Sequence, residues 1–401
     1  MSKFLYYLFL VSAILFGSIS IGPFTIRVFA TIVMVVFLFI NRSSFFGNKL
    51  IPIPFSYISV YLMYLLFFFI ALVMSGDIDR YDFFHRLIGM HGVCIVAFCA
   101  VCYFVNDKKM ANQTCMVLLA ILLVDSVVTI FQYLENPIAW AIGGVMGDIS
   151  QAEEYLLMHD DSLGASIMPG ILGGAVSNAF YIAVVAPLSF LYIYKSKILG
   201  KFAIGSVFLL SFFASYVTQQ RASFGLLLVF VLINVCYNVK RYRSFVWLVM
   251  LALMIVSFFI YFDLTDDYWG RLTKTSSDDR KDLISYASTF VFDNWLWGGP
   301  IKYVKEAGVS AHNIIIDSII NAGIFGFIFA MLLYFGSLFN VARSITISFF
   351  KKRNISLLVI SFSMFICLIY GLFHNASYIT GDVLVFIMLA LFLKSKKIQL
   401  I

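Results

Sequence analysis

The chain has 401 residues, 62% of them hydrophobic, 18% aromatic and only 12% charged, with a net charge of +7 and a mean hydropathy of +0.96. Soluble domains carry about 25% charged residues, so a water-soluble fold is excluded. The basic excess points away from a nucleic-acid partner and towards membrane orientation, because the lysines and arginines gather in alternate loops between apolar runs.

Those runs are long enough to cross a bilayer as helices and do not alternate in and out as barrel strands would. In chain order they predict twelve spans, at 4–21, 24–40, 51–74, 88–105, 113–132, 172–195, 200–217, 223–239, 246–262, 313–342, 354–374 and 380–395. The expected fold is all-α, one polytopic membrane domain over residues 1–401. The first run follows Lys3 like a signal peptide, but no small-x-small cleavage site follows it, so it reads as an uncleaved helix. Basic clusters such as Lys195, Lys197 and Lys201, Lys240, Arg241 and Arg243, and Arg343, Lys351, Lys352 and Arg353 fall on one side. That side is cytoplasmic by the positive-inside rule, with both termini on it. The six cysteines lie in or beside apolar runs and read as small buried hydrophobes.

Two outward loops are long, 133–171 and 263–312, whereas the cytoplasmic loops are short. Long loops in a compact protein are usually functional. In the second, Leu283, Ile284, Ala287, Phe290 and Val291 recur at helical spacing, which predicts an amphipathic helix on the bilayer surface with Arg280 in its first turn. The loop ends at Ala311-His312-Asn313, and nine residues later comes Gly323-x-x-Gly326. His312 thus stands at a membrane–water boundary.

Each candidate has a plain structural reading beside the functional one. Arg221, in a short outward turn, could be a snorkelling anchor, and Arg280 part of a solvated charge run. His312 and Asn313 could cap the helix that follows; Gly323 and Gly326 read as close helix packing. Arg80 and Arg86 sit with Asp77, Asp79, Asp82 and His85 in an outward cluster after the third span. Asp125 lies inside an apolar run, where an acid is functional by default unless Ser126 and Thr129 satisfy it. His374-Asn375 repeats the His-Asn pair without the glycine spacing.

Arg221, Asp279-Arg280, the stretch Phe292-Asp293-Asn294-Trp295-Leu296-Trp297-Gly298-Gly299-Pro300, Ala311-His312-Asn313 and the Gly323-to-Gly326 spacing together resemble the O-antigen polymerase and O-antigen ligase (Wzy/WaaL) superfamily. The motif match covers residues 221–326. It departs from the family at Trp295 and Gly298-Gly299-Pro300, where a proline and further glycines are often differently placed. The resemblance implies a GT-C-like membrane glycosyltransferase with a large late periplasmic loop, in the bacterial inner membrane. Its donor would be an undecaprenyl-diphosphate-linked oligosaccharide. The acceptor would be another lipid-linked repeat unit for a polymerase, the favoured reading, or lipid A–core for a ligase. A chain-length co-polymerase is an expected partner of a polymerase. In this scheme Arg221 and Arg280 pair with the departing diphosphate, and His312 deprotonates the acceptor hydroxyl or only binds it. Asn313, Arg80 and Arg86 are substrate-binding candidates. Fixed guanidiniums supply the charge, so neither a metal nor another cofactor is expected. The competing class is a transporter such as a lipid-linked oligosaccharide flippase, for which Asp125 would be the midplane charge.

Overall fold

The computed structural model describes residues 2–17, 19–21, 24–41, 55–75, 85–146, 168–172, 174–194, 196–218, 220–238, 276–307, 311, 313–352, 354–372 and 377–398; for Arg221 and Arg280 it describes the backbone alone. His312, Arg80, the pair His374-Asn375 and the expected ninth span lie outside the described residues.

Helix α1 (Ser2–Leu15) leads through a two-residue ladder, β1 (Ser20–Ile21) against β2 (Phe24–Thr25), into α2 (Ile26–Ile40). Then come α3 (Phe55–Met74), a π-helical segment at His85–Gly92 continuing as α4 (Val93–Phe104), and α5 (Lys108–Tyr133). Helix α6 (Pro137–Met146) occupies part of the first expected long loop. Helix α7 (Ala175–Val185) runs on through a 3-10 turn at Pro187, whose ring removes a backbone donor. Next are α8 (Ile198–Val217), α9 (Arg221–Asn238), α10 (Ser276–Asn294), α11 (Pro300–Ala307), α12 (Ile314–Thr346), α13 (Ile355–Tyr370) and α14 (Val383–Ile398).

Among the described residues six segments are long and apolar enough to cross a membrane: Ser56–Met74, Arg86–Phe104, Lys108–Tyr133, Val176–Ile193, Ile198–Val217 and Ile314–Phe350. The remaining apolar helices among the described residues are shorter. The chain is therefore a membrane-embedded helical protein, and helices stand at eleven of the twelve expected places.

Burial sorts the helices into inner and outer. Helix α14 is buried on all sides from Val383 to Phe392, and α13 almost as completely; a helix apolar all round belongs inside. Helix α8 instead exposes Leu199 at 84% and Phe202 at 71%, surface that water would penalise and lipid would not. Of the five cysteines whose side chains are described, none forms a disulfide; Cys94, Cys102, Cys115 and Cys367 are buried and Cys99 half-buried, in keeping with their expected packing role.

A buried polar cluster ties α5 to the segment before α7. Asp125 Oδ1 accepts from the Ile171 backbone N–H at 2.9 Å, and Gln132 Oε1 accepts from Gly170 N–H at 2.9 Å. Asn178 Nδ2 donates to Thr129 Oγ1 and to Met168 O, both at 2.9 Å. Gly170 has φ +60°, and a Cβ there would strike the Asp125 carboxylate. Asp125 is thus an anchor for the 168–171 segment. The partners expected for it, Ser126 and Thr129, do not bond its carboxylate: Ser126 donates to Ser211 and Thr129 to the Asp125 backbone carbonyl.

Candidate active site

The turn before α12 is held from below by an acid. Asp317 Oδ1 accepts from Ala311 N–H at 2.9 Å and its Oδ2 from Asn313 N–H at 3.0 Å. One carboxylate therefore clasps the backbone on both sides of position 312. Asn313 caps α12, its Oδ1 accepting from Ile315 N–H at 2.9 Å and Ile316 N–H at 3.4 Å. Its Nδ2 donates to Leu372 O at 3.4 Å, while Ile314 N–H donates to Gly371 O at 3.1 Å. The start of α12 is thereby fastened to the end of α13. Both ends of the Asn313 amide are engaged in structure, which leaves one Nδ2 hydrogen for the substrate contact expected of it.

Nine residues into α12 the helix breaks. Gly323 adopts φ 62° and ψ −172°, a region that only glycine occupies readily. The turn after α10 docks into the break through main-chain atoms. Ile324 N–H donates to Trp295 O at 2.9 Å, and Gly299 N–H to Ile320 O at 2.8 Å. Gly298, with φ +76°, lies so close that a Cβ would meet Ile320 O and Ile319 O. A Cβ on Gly323 would strike the Leu296 carbonyl. Gly326 alone meets the expectation of helix packing, lying against Phe67 and Tyr64 of α3; Gly323 is a helix break and a docking point.

Helix α10 spans the expected amphipathic segment, with Arg280 as its fifth residue. Its apolar side is not left for lipid. Ala287 and Phe290 join Tyr303, Ala311 and Ile320 in a small second core, with Val291, Val304, Ala307 and Ile316 around it. Phe290 meets the Tyr303 ring edge-on at 5.1 Å. The helix that bears Arg280 therefore shares a small core with the residue next to position 312. Beside this core Phe292 (81%), Trp295 (54%), Trp297 and Phe325 remain exposed, an aromatic patch suited to a headgroup interface.

Arg221 opens α9 after a turn laced by hydroxyls: Ser223 Oγ donates to Gln220 O at 2.8 Å and Thr218 Oγ1 to Ser215 O at 2.7 Å. Arg86 is half-buried in the π-helical segment. Of the six expected site residues, then, Asn313 and the backbone of Arg280 belong to one packed unit, and Arg221 and Arg86 sit on other elements.

Two features carry no functional reading from sequence alone. Asp317 lies in an apolar run four residues past Asn313, and an acid in the first turn of a membrane helix is the signal for it. The contact of Gly298 with Gly323 has no local signal beyond the glycines themselves.

No protein-family model matches the chain, and no characterised protein matches it in sequence.

Proposed function

We propose that the chain is a polyprenyl-diphosphate-dependent glycosyltransferase of the O-antigen polymerase type, acting at the periplasmic face of a bacterial inner membrane with both termini cytoplasmic. The observation that carries the reading is the packed unit of α10, α11 and the start of α12, in which the helix bearing Arg280 shares a core with Ala311 while Asp317 clasps the backbone flanking His312. An imidazole needs such a fixed base to act on one acceptor atom. The exposed aromatic patch beside it, Phe292, Trp295 and Trp297, would set this unit at the depth where a prenyl diphosphate meets water.

In this mechanism the acceptor hydroxyl oxygen attacks the anomeric carbon from the face opposite the diphosphate. The C1–O bond breaks with its electron pair leaving on the diphosphate, and His312 receives the hydroxyl proton. Arg280 and Arg221 pair with the charge that builds on the leaving group, the kind of preorganised stabilisation that dominates many enzymes. A single displacement inverts the anomeric centre. Arginine stays charged at any working pH, so no metal enters the scheme.

A gel of surface polysaccharide from strains carrying Arg280→Ala or His312→Ala tests this. The expected result is loss of polymer with normal membrane levels of the protein; wild-type polymer from both variants overturns the assignment. A deletion strain separates the two acceptors. One repeat unit on lipid A–core marks a polymerase, whereas bare core with accumulating lipid-linked polymer marks a ligase.

A further inference from the structure

At the same end of the bundle as Asn313, a cavity of about 380 Å³ lies between the end of α1 and the starts of α2, α7 and α14. It shares that end because α13 finishes at the start of α12 and the chain re-enters as α14 within a dozen residues. The polar groups on its wall include Arg27, Ser177, Thr380 and Asp382; Ile14, Leu172, Phe180 and Leu384 are among the apolar ones.

Arg27 is unusual in its lack of partners. It is the second residue of α2, and its guanidinium carries five N–H donors. Among the described residues its side chain makes one hydrogen bond, a long one from Nη2 to Ile14 O at 3.5 Å. Its Nε is enclosed by protein with no partner among the described residues. Gly17 makes the room for it, since a Cβ there would collide with the guanidinium. Asp382 faces the same cavity and attracts Arg27 across it, without a direct hydrogen bond between them among the described residues. Its Oδ1 instead accepts from Leu384 N–H at 2.8 Å at the start of α14. A half-buried guanidinium on the wall of a cavity, with its Nε enclosed and unpartnered among the described residues, presents N–H donors that an anion in the cavity completes. The cavity is far larger than the roughly 30 Å³ share of one water.

We infer that this cavity binds a glycosyl phosphate, with the phosphate on Arg27 and the sugar hydroxyls towards Asp382. Phosphate oxygens match the fork of a guanidinium bidentately. Asp382 is an acceptor-only group that repels phosphate but receives hydroxyl donors, so it orients the ligand with its sugar end across the cavity. The phosphate site stands on the cavity alone; that its natural ligand is lipid-linked rests on the glycosyltransferase reading.

The test is thermal stabilisation and equilibrium binding of the purified full-length chain in detergent. The probes are inorganic phosphate, galactose 1-phosphate and undecaprenyl phosphate. Galactose 1-phosphate should bind the wild type and raise its melting temperature. Arg27→Gln should weaken binding about tenfold or more, the scale of a lost charge-assisted pair, and Arg27→Lys less. Asp382→Asn should weaken the sugar phosphate relative to inorganic phosphate, whose binding should tighten as the repelling charge is removed. Ser177→Phe, which fills the cavity and spares Arg27, should abolish binding of all probes even if Arg27→Gln proves unstable. Undecaprenyl phosphate binding more tightly than galactose 1-phosphate identifies a lipid source, and the reverse order a soluble one. Absence of binding by every probe, or binding that survives both Arg27→Gln and Ser177→Phe, overturns the site. Wild-type polysaccharide in the Arg280 and His312 variants would sink the transferase reading and leave this result standing.

Discussion

Replacing Gly323 by alanine adds one carbon where the Leu296 carbonyl already lies. The backbone at 323, φ 62° and ψ −172°, is open to alanine only at about 1–3 kcal/mol of strain. Relieving the clash means withdrawing the 295–299 turn and losing two hydrogen bonds, Ile324 N–H to Trp295 O and Gly299 N–H to Ile320 O, each worth about 0.5–1.5 kcal/mol net. The whole effect is on the order of 2–6 kcal/mol. Gly336 on the same helix is the internal control, because a Cβ there meets nothing within 4 Å. Its replacement by alanine should be neutral or stabilising by about 0.5–1 kcal/mol through helix propensity. Melting of each variant in detergent, read by monodispersity after heating, gives the comparison. Trypsin adds a local readout, since Lys302 and Lys305 of α11 lie just past the docked turn and become cleavable when it is released. Equal melting temperatures for Gly323→Ala and Gly336→Ala would refute the argument.

Gly326→Ala should also destabilise the chain, because the added carbon meets the Ala322 Cβ; the double variant with Ala322→Gly should recover most of the lost melting temperature, and no recovery would locate the conflict elsewhere. Asp317→Ala leaves the N–H groups of Ala311 and Asn313 without acceptors, at about 1–3 kcal/mol for each buried donor. Asp317→Asn should lie between it and the wild type in both melting and polymer yield, and wild-type polymer from Asp317→Ala would show that the clasp does not matter to activity. The Tyr303 hydroxyl is buried with no partner among the described residues, so Tyr303→Phe should hold or raise the melting temperature, by ~1 kcal/mol of relieved desolvation. Burial, with Asp317 and Tyr286 nearby, pushes this hydroxyl up to about 12. The neutral form is the one the fold favours, so its contribution is complete below the ordinary value of 10.0 and is lost as pH climbs towards 12. Tyr303→Phe should remove that alkaline loss, and an unchanged alkaline profile would count against it.

The helices were legible where apolar runs ended in polar breaks, which is why α5, α8 and α13 fall where the hydropathy puts them. The break at Gly323 was not, because apolar residues continue on both sides of it and the cause is a turn some 25 residues earlier in the chain. Helix α10 was visible by its spacing, yet its apolar side faces Tyr303 and Ile320; periodicity reports that a side is buried and not what buries it. Asn313 as a cap could be read locally, since its partners are two and three residues away. The Arg27 cavity could not, since its walls come from elements spread along the chain from residue 13 to residue 384.

The junction between residues 295–299 and 319–324 is written in main-chain atoms, so it is nearly blind to side-chain identity except at two glycines. A library randomised at Leu296, Trp297 and Ile319 should return mostly folded molecules, whereas one randomised at Gly298 or Gly323 should return almost none. Mutational drift there is silent in shape and audible only in what the exposed rings touch, which leaves this corner of the protein free to retune its grip on the bilayer without remaking its frame.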